Sequence, residues 1–102
     1  MEVHSILGKG HSEIVYKDAL EYEFRKEGLS FSREKQFKIK YKDIILPHHF
    51  FADFIVEDSI VLETKAVSSL TDSHVKQSLN YLAVSKLQLA LLVNFGEDSL
   101  TY

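Results

Sequence analysis

No cysteine occurs among the 102 residues, which excludes disulfides and thiolate metal sites and makes the cytoplasm the default setting. One proline and four glycines leave no composition for a long disordered linker. No apolar run approaches the roughly 20 residues that cross a bilayer, and no signal peptide is visible. No membrane partner is expected. There is also no strong excess of one charge: 12 basic and 15 acidic side chains give a formal −3, which does not advertise nucleic-acid binding. Charge distribution matters more than the sum. "REKQFKIKYK", Arg33 to Lys42, sets five cations against Glu34 alone. It reads first as the solvated face of a strand, with a phosphate-facing edge around Lys38 and Lys40 as the alternative.

What remains is ordinary for a globular protein, with 45% hydrophobic and 26% charged residues, and the length suits a single domain, 1–102. "SEIVYKDALEYEFRKEG" has Ser12 as a candidate N-cap and Gly28 as a candidate C-cap, and Tyr16, Leu20 and Phe24 recur at helical spacing. Carried back one turn, that stripe reaches Glu13, at the end of the inward face; an acid there is also a favourable partner for the helix dipole. "SFSREKQFKIKY" alternates as a half-exposed strand with Phe37, Ile39 and Tyr41 on one side. After a break expected at Pro47, a second strand runs from about Phe50 to Val56, and "IVLETKA" forms a third. "SLTDSHVKQSLNYLAVSK" predicts a helix with Val75, Leu79, Leu82 and Ala83 as its core stripe and Gln77 and Tyr81 on a flanking face. "LQLALLVNFG" predicts a strand covered on both faces. Three meandering strands, then a crossover helix and a fourth strand, give a mixed four-stranded sheet flanked by two helices, α/β or α+β in class. At most a stub of helix precedes them at "MEVHSILG".

Asp53, Glu63 and Lys65 lie inside the best core-forming strands, where ionised side chains are expensive to bury. Alternation puts Glu63 and Lys65 on one face. Asp53 stands opposite Glu63 only if Val56 stands opposite Ile60, leaving the three-residue loop Glu57-Asp58-Ser59. A two-residue loop would instead pair Asp53 with Thr64 and send Glu63 to the other face. In the first register two carboxylates meet at about 5 Å between Cβ atoms. They repel, one pKa rises, and a hard divalent cation relieves the repulsion. The competing reading is a simple ion pair of Lys65 with Asp53 or Glu63 at a strand end.

Gly10-His-Ser-Glu13-Ile-Val-Tyr16 matches a GxxExxY signature, and "EVHSILG", "ADFIVEDSIVLETKA", "QSLNYL" and "LLVNFG" follow or flank it in order. With these blocks the whole chain resembles the GxxExxY protein family, assigned to the PD-(D/E)XK nuclease superfamily with its restriction-endonuclease-like core. The resemblance implies that Asp53 is the metal-binding Asp and that Glu63 and Lys65 are the ExK acid and lysine. It further implies that the Thr64 backbone carbonyl completes the metal shell and that Glu13 is a helix-borne supporting acid. Gln77 and Tyr81 match a Q-x₃-Y element that organises the lysine and the nucleic-acid end. His4 falls where the family usually has histidine, although a lone His beside a short helix is more often structural. Ala52 replaces the proline of the superfamily name and Lys9 the proline usual before Gly10. Relative to the family the chain is expected to be shortened at both ends.

The implied function is hydrolysis of phosphodiesters with Mg²⁺ or Mn²⁺, on DNA rather than RNA by analogy alone, with Lys65 assisting and Lys38, Lys40 and Tyr81 facing nucleic acid. A homodimer accords with nucleases that cut both strands. The alternatives are an inactive nucleic-acid- or partner-binding module that keeps the fold, and a purely structural ion-pair network.

Overall fold

The computed structural model describes residues 2–102. The elements are α1 (Glu2–Leu7), α2 (Glu13–Lys26), β1 (Phe31–Tyr41), β2 (Ile44–Val56), β3 (Ile60–Lys65), α3 (Asp72–Ser85) and β4 (Leu89–Asn94). They build one mixed sheet in the order β1-β2-β3-β4, antiparallel across the first two contacts and parallel between β3 and β4. This is the α+β sheet that the sequence pattern predicts. Among the described residues no helix is long and apolar enough to cross a membrane.

Helix α2 ends as its sequence dictates. Gly28 takes φ 71, its N–H donates to Arg25 O at 3.1 Å, and Leu29 N–H donates to Phe24 O at 2.9 Å. That pair of bonds closes the last turn through a left-handed residue that glycine adopts without a Cβ clash. Tyr16 is fully buried, stacks on Phe95 at 4.5 Å between ring centroids, and donates its hydroxyl to Gly8 O at 2.6 Å. His4 is buried too, its Nε2 lying 2.9 Å from Glu97 O. Both residues therefore tie the start of the chain to the turn after β4, and His4 has the structural role expected of a lone histidine.

Two apolar clusters cover opposite faces of the sheet. Tyr16 and Leu20 of α2 meet Phe54, Val56, Leu62 and Val93, whereas Tyr81 and Leu82 of α3 pack on Phe50, Ala52, Ile55 and Val61. Residues two apart on a regular strand share a face. Yet Ala52 faces the α3 cluster and Phe54 the α2 cluster, and Phe37 and Phe31 of β1 divide in the same way. Both reversals fall near one position, where Glu34 has φ 54 and the rung between Glu34 and Asp53 is absent from the ladder.

Three sequence expectations are corrected. Pro47 does not break β2, which runs unbroken from Ile44. β3 pairs only with Phe54–Val56, so the earlier part of β2 is bare on that side, and Pro47 falls in the register shift between Lys38 and Lys40 of β1. A missing N–H is tolerated at such an edge. On α3, Val75, Leu79 and Ala83 are exposed; Leu82 packs inward as expected, and Ser78 and Tyr81 turn inward with it. The stack of Tyr81 on Phe50, 4.2 Å apart and 5° from parallel, sets that rotation. Finally, β4 is buried only at Val93 and Asn94; Leu89 and Leu91 stay exposed because β4 is the outer strand.

Candidate metal and nucleic-acid site

The β2–β3 turn meets the condition set by the sequence. Val56 pairs with Ile60, Ile55 with Val61 and Phe54 with Leu62, so Glu57-Asp58-Ser59 is a three-residue loop. Glu57 and Asp58 both take φ 54, and Ser59 N–H closes the turn on Val56 O at 3.1 Å. The same register carried one step further sets Asp53 against Glu63.

At that step the ladder gives way to side chains. Asp53 Oδ2 accepts the Thr64 N–H at 2.7 Å and the Thr64 hydroxyl at 3.0 Å. A carboxylate thus takes the place of a main-chain acceptor on β2. Glu63 lies beside it, 6% exposed, with Oε1 buried and lacking any hydrogen-bond partner among the described residues. Burial pushes the Glu63 carboxyl up from 4.5 to about 8; the neighbouring Asp53 charge adds to the rise and Lys65 opposes it. A buried acceptor without a partner is rare enough to require a cause.

Lys65 is half-buried at the end of β3 and, among the described residues, makes no ion pair with Asp53 or Glu63, although its charge is near enough to oppose the rise of the Glu63 carboxyl; the ion pair on Asp53 comes from Lys17 of α2 instead. Tyr81 is close enough for burial, then Glu63 and Asp53, to raise its phenol, while the Gln77 amide pulls the other way. Glu13 is exposed in the first turn of α2, where an acid suits the helix dipole, and not on the inward face to which the Tyr16–Leu20 stripe extrapolates. Among the described residues no three His, Asp or Glu side chains gather into a metal-holding group. Lys38 and Lys40 are exposed on β1 and line a groove with Lys86, Ala83 and Val84 just beyond the end of α3 that carries Tyr81.

Three contributors escape sequence reading. Lys17 of α2 donates to Asp53 Oδ1 at 3.1 Å and also pairs with Glu34. Its only signal is its place one turn beyond Glu13, on the face extrapolated inward. Glu34 is hidden because nothing in "REKQFK" announces a left-handed residue. Asn94 is fully buried; its Oδ1 accepts from Val67 N and Gly96 N, and its Nδ2 donates to Val67 O and Glu97 Oε2, at 2.8–3.1 Å. It staples the segment after Lys65 to the end of β4. A polar residue interrupting "LLVNFG" was the available signal.

A four-stranded mixed sheet with a helix on each face, and adjacent carboxylates where β2 and β3 part, defines a nuclease-like α+β domain. The chain matches the family model of the PD-(D/E)XK nuclease superfamily over residues 1–101, and it belongs to that superfamily. No curated protein and no solved structure gives a significant match. Such nucleases generally use divalent metal ions. The donors here have the chemistry to hold one: Asp53 and Glu63 offer hard carboxylate oxygens, with Lys17 now on Asp53 Oδ1 and Glu63 Oε1 without a hydrogen-bond partner among the described residues.

Proposed function

We propose that this protein is a Mg²⁺- or Mn²⁺-dependent nuclease of the GxxExxY branch, hydrolysing phosphodiester bonds of nucleic acid, with DNA as the preferred substrate. The observation that carries the proposal is the unpartnered, buried Glu63 Oε1 beside Asp53. In this reading Asp53, Glu63 and the Thr64 carbonyl hold the metal, with Glu13 as a supporting acid. The ion, when bound, supplies Lewis acidity toward phosphate and acidifies a water. Lys65 stabilises charge developing on the phosphate. Gln77 and Tyr81 position that end of the substrate. Lys38 and Lys40, with Lys86, line a groove whose charge suits the nucleic-acid backbone.

A second reading is a binding module without catalysis, and it draws on the cation already seated on Asp53, Lys17, together with the lack, among the described residues, of a third acid gathered with the pair. The deciding experiment compares native protein with Lys65→Ala, measuring Mn²⁺ binding by calorimetry and cleavage of DNA and RNA. The nuclease reading expects metal binding in both and cleavage in the native protein alone. Full activity in Lys65→Ala overturns the role of Lys65. Salt-sensitive DNA binding without metal-dependent cleavage establishes the module instead.

A further inference from the structure

Side chains from three separate elements meet at one end of the carboxylate pair. Lys17 of α2 holds Asp53 Oδ1 at 3.1 Å and Glu34 of β1 at its other side. The Lys17 side chain is 12% exposed and that of Asp53 15%, so this contact is shielded from the solvent that weakens surface pairs. Asp53 Oδ2 is already spent on Thr64. Oδ1 is therefore the oxygen left for a cation, and an ammonium sits on it. Glu34 adopts a left-handed φ of 54, a conformation disfavoured for residues with a Cβ, at the position where the β1–β2 ladder loses its rung. The strand is distorted at the residue that shares Lys17 with Asp53.

We propose that Lys17 is a resident counter-ion of the metal site. Its ammonium occupies the Asp53 oxygen that a divalent cation uses, and Glu34 is the second carboxylate to which it withdraws when the cation binds. Lys17 is thus a positioning and competing residue, distinct from Lys65. The inference rests on the reading of Asp53 and Glu63 as metal ligands. It predicts effects of opposite sign at the two neighbours. Removing the ammonium tightens metal binding because a like charge leaves the site. Neutralising Glu34 weakens metal binding because Lys17 loses its alternative partner and stays on Asp53.

The test is calorimetric titration of Mn²⁺ into native protein, Lys17→Met and Glu34→Gln, each with and without Asp53→Asn. Lys17→Met is expected to bind about tenfold tighter, and Glu34→Gln about threefold weaker, for loss of one short-range charge contact in a partly shielded site. Asp53→Asn is expected to abolish binding in every background. A merely structural lysine would leave affinity unchanged or lower it on replacement. Native binding with unchanged or weaker binding in Lys17→Met overturns this inference alone. If Lys17→Met does not fold, Glu34→Gln decides, since its side chain is 48% exposed; unchanged or tighter binding there overturns the inference. Failure of all the proteins to bind Mn²⁺ overturns the nuclease reading along with it.

Discussion

Replacing Glu63 by Gln isolates the cost of keeping a carboxyl in the sheet. The folded carboxyl is raised from 4.5 to about 8 by burial and by Asp53. Between those values the folded chain keeps a proton that the unfolded chain has released. Stability therefore falls as pH rises through the window and levels off above about pH 8. A gap of about 3.5 pH units, at about 1.36 kcal/mol each, sets a ceiling near 5 kcal/mol. Relaxation and water entry reduce it, and about 2–3 kcal/mol is the expected loss from about pH 5 to pH 9. Gln has similar volume, does not ionise, and has an amide able to donate to Asp53. Urea unfolding in the presence of a chelator, at about pH 5, 7 and 9, reads the difference. Near pH 5 the two proteins are expected to agree within about 1 kcal/mol, and near pH 9 the Gln variant is expected to be the more stable. A native profile without this fall, or a parallel fall in Glu63→Gln, refutes the burial argument.

Two further outcomes test the scaffold. A Cβ at Gly96 would stand 2.2 Å from Val67 O and 2.5 Å from Val67 N, so Gly96→Ala is expected to lose about 3 kcal/mol in denaturant unfolding; a loss under about 0.5 kcal/mol would show that the β3–α3 connection yields freely. Leu79 is 58% exposed on α3, so Leu79→Ser is expected to shift stability by no more than about 0.5 kcal/mol, whereas a loss above about 2 kcal/mol would restore Leu79 to a core.

The parts of the fold governed by short-range counting were legible. Arithmetic on the β2–β3 hairpin narrowed its register to two, of which the structure shows the one with Val56 opposite Ile60, and the end of α2 followed from Gly28. What escaped depends on partners distant in sequence. Val75, Leu79 and Leu82 form as good a helical stripe as Ser78, Tyr81 and Leu82, and only the Phe50 ring favours the second. Pro47 reads as a break until β3 proves too short to need its N–H. The Asp53–Glu63 neighbourhood was readable because it lies on one hairpin. Its third charge was not, because Lys17 arrives from a helix 36 residues earlier and is met by Glu34 on a distorted strand.

That third charge alters how the site looks to an approaching polyanion. Asp53 and Glu34 carry two formal negative charges, and Lys17 and Lys65 carry two positive ones. Glu63, which burial and Asp53 push toward its protonated form, adds less than a full charge at neutral pH. A pair of carboxylates that would by itself repel a phosphate is thus embedded in a patch close to neutral. Under the nuclease reading, the metal-free site repels nucleic acid far less than two bare carboxylates would.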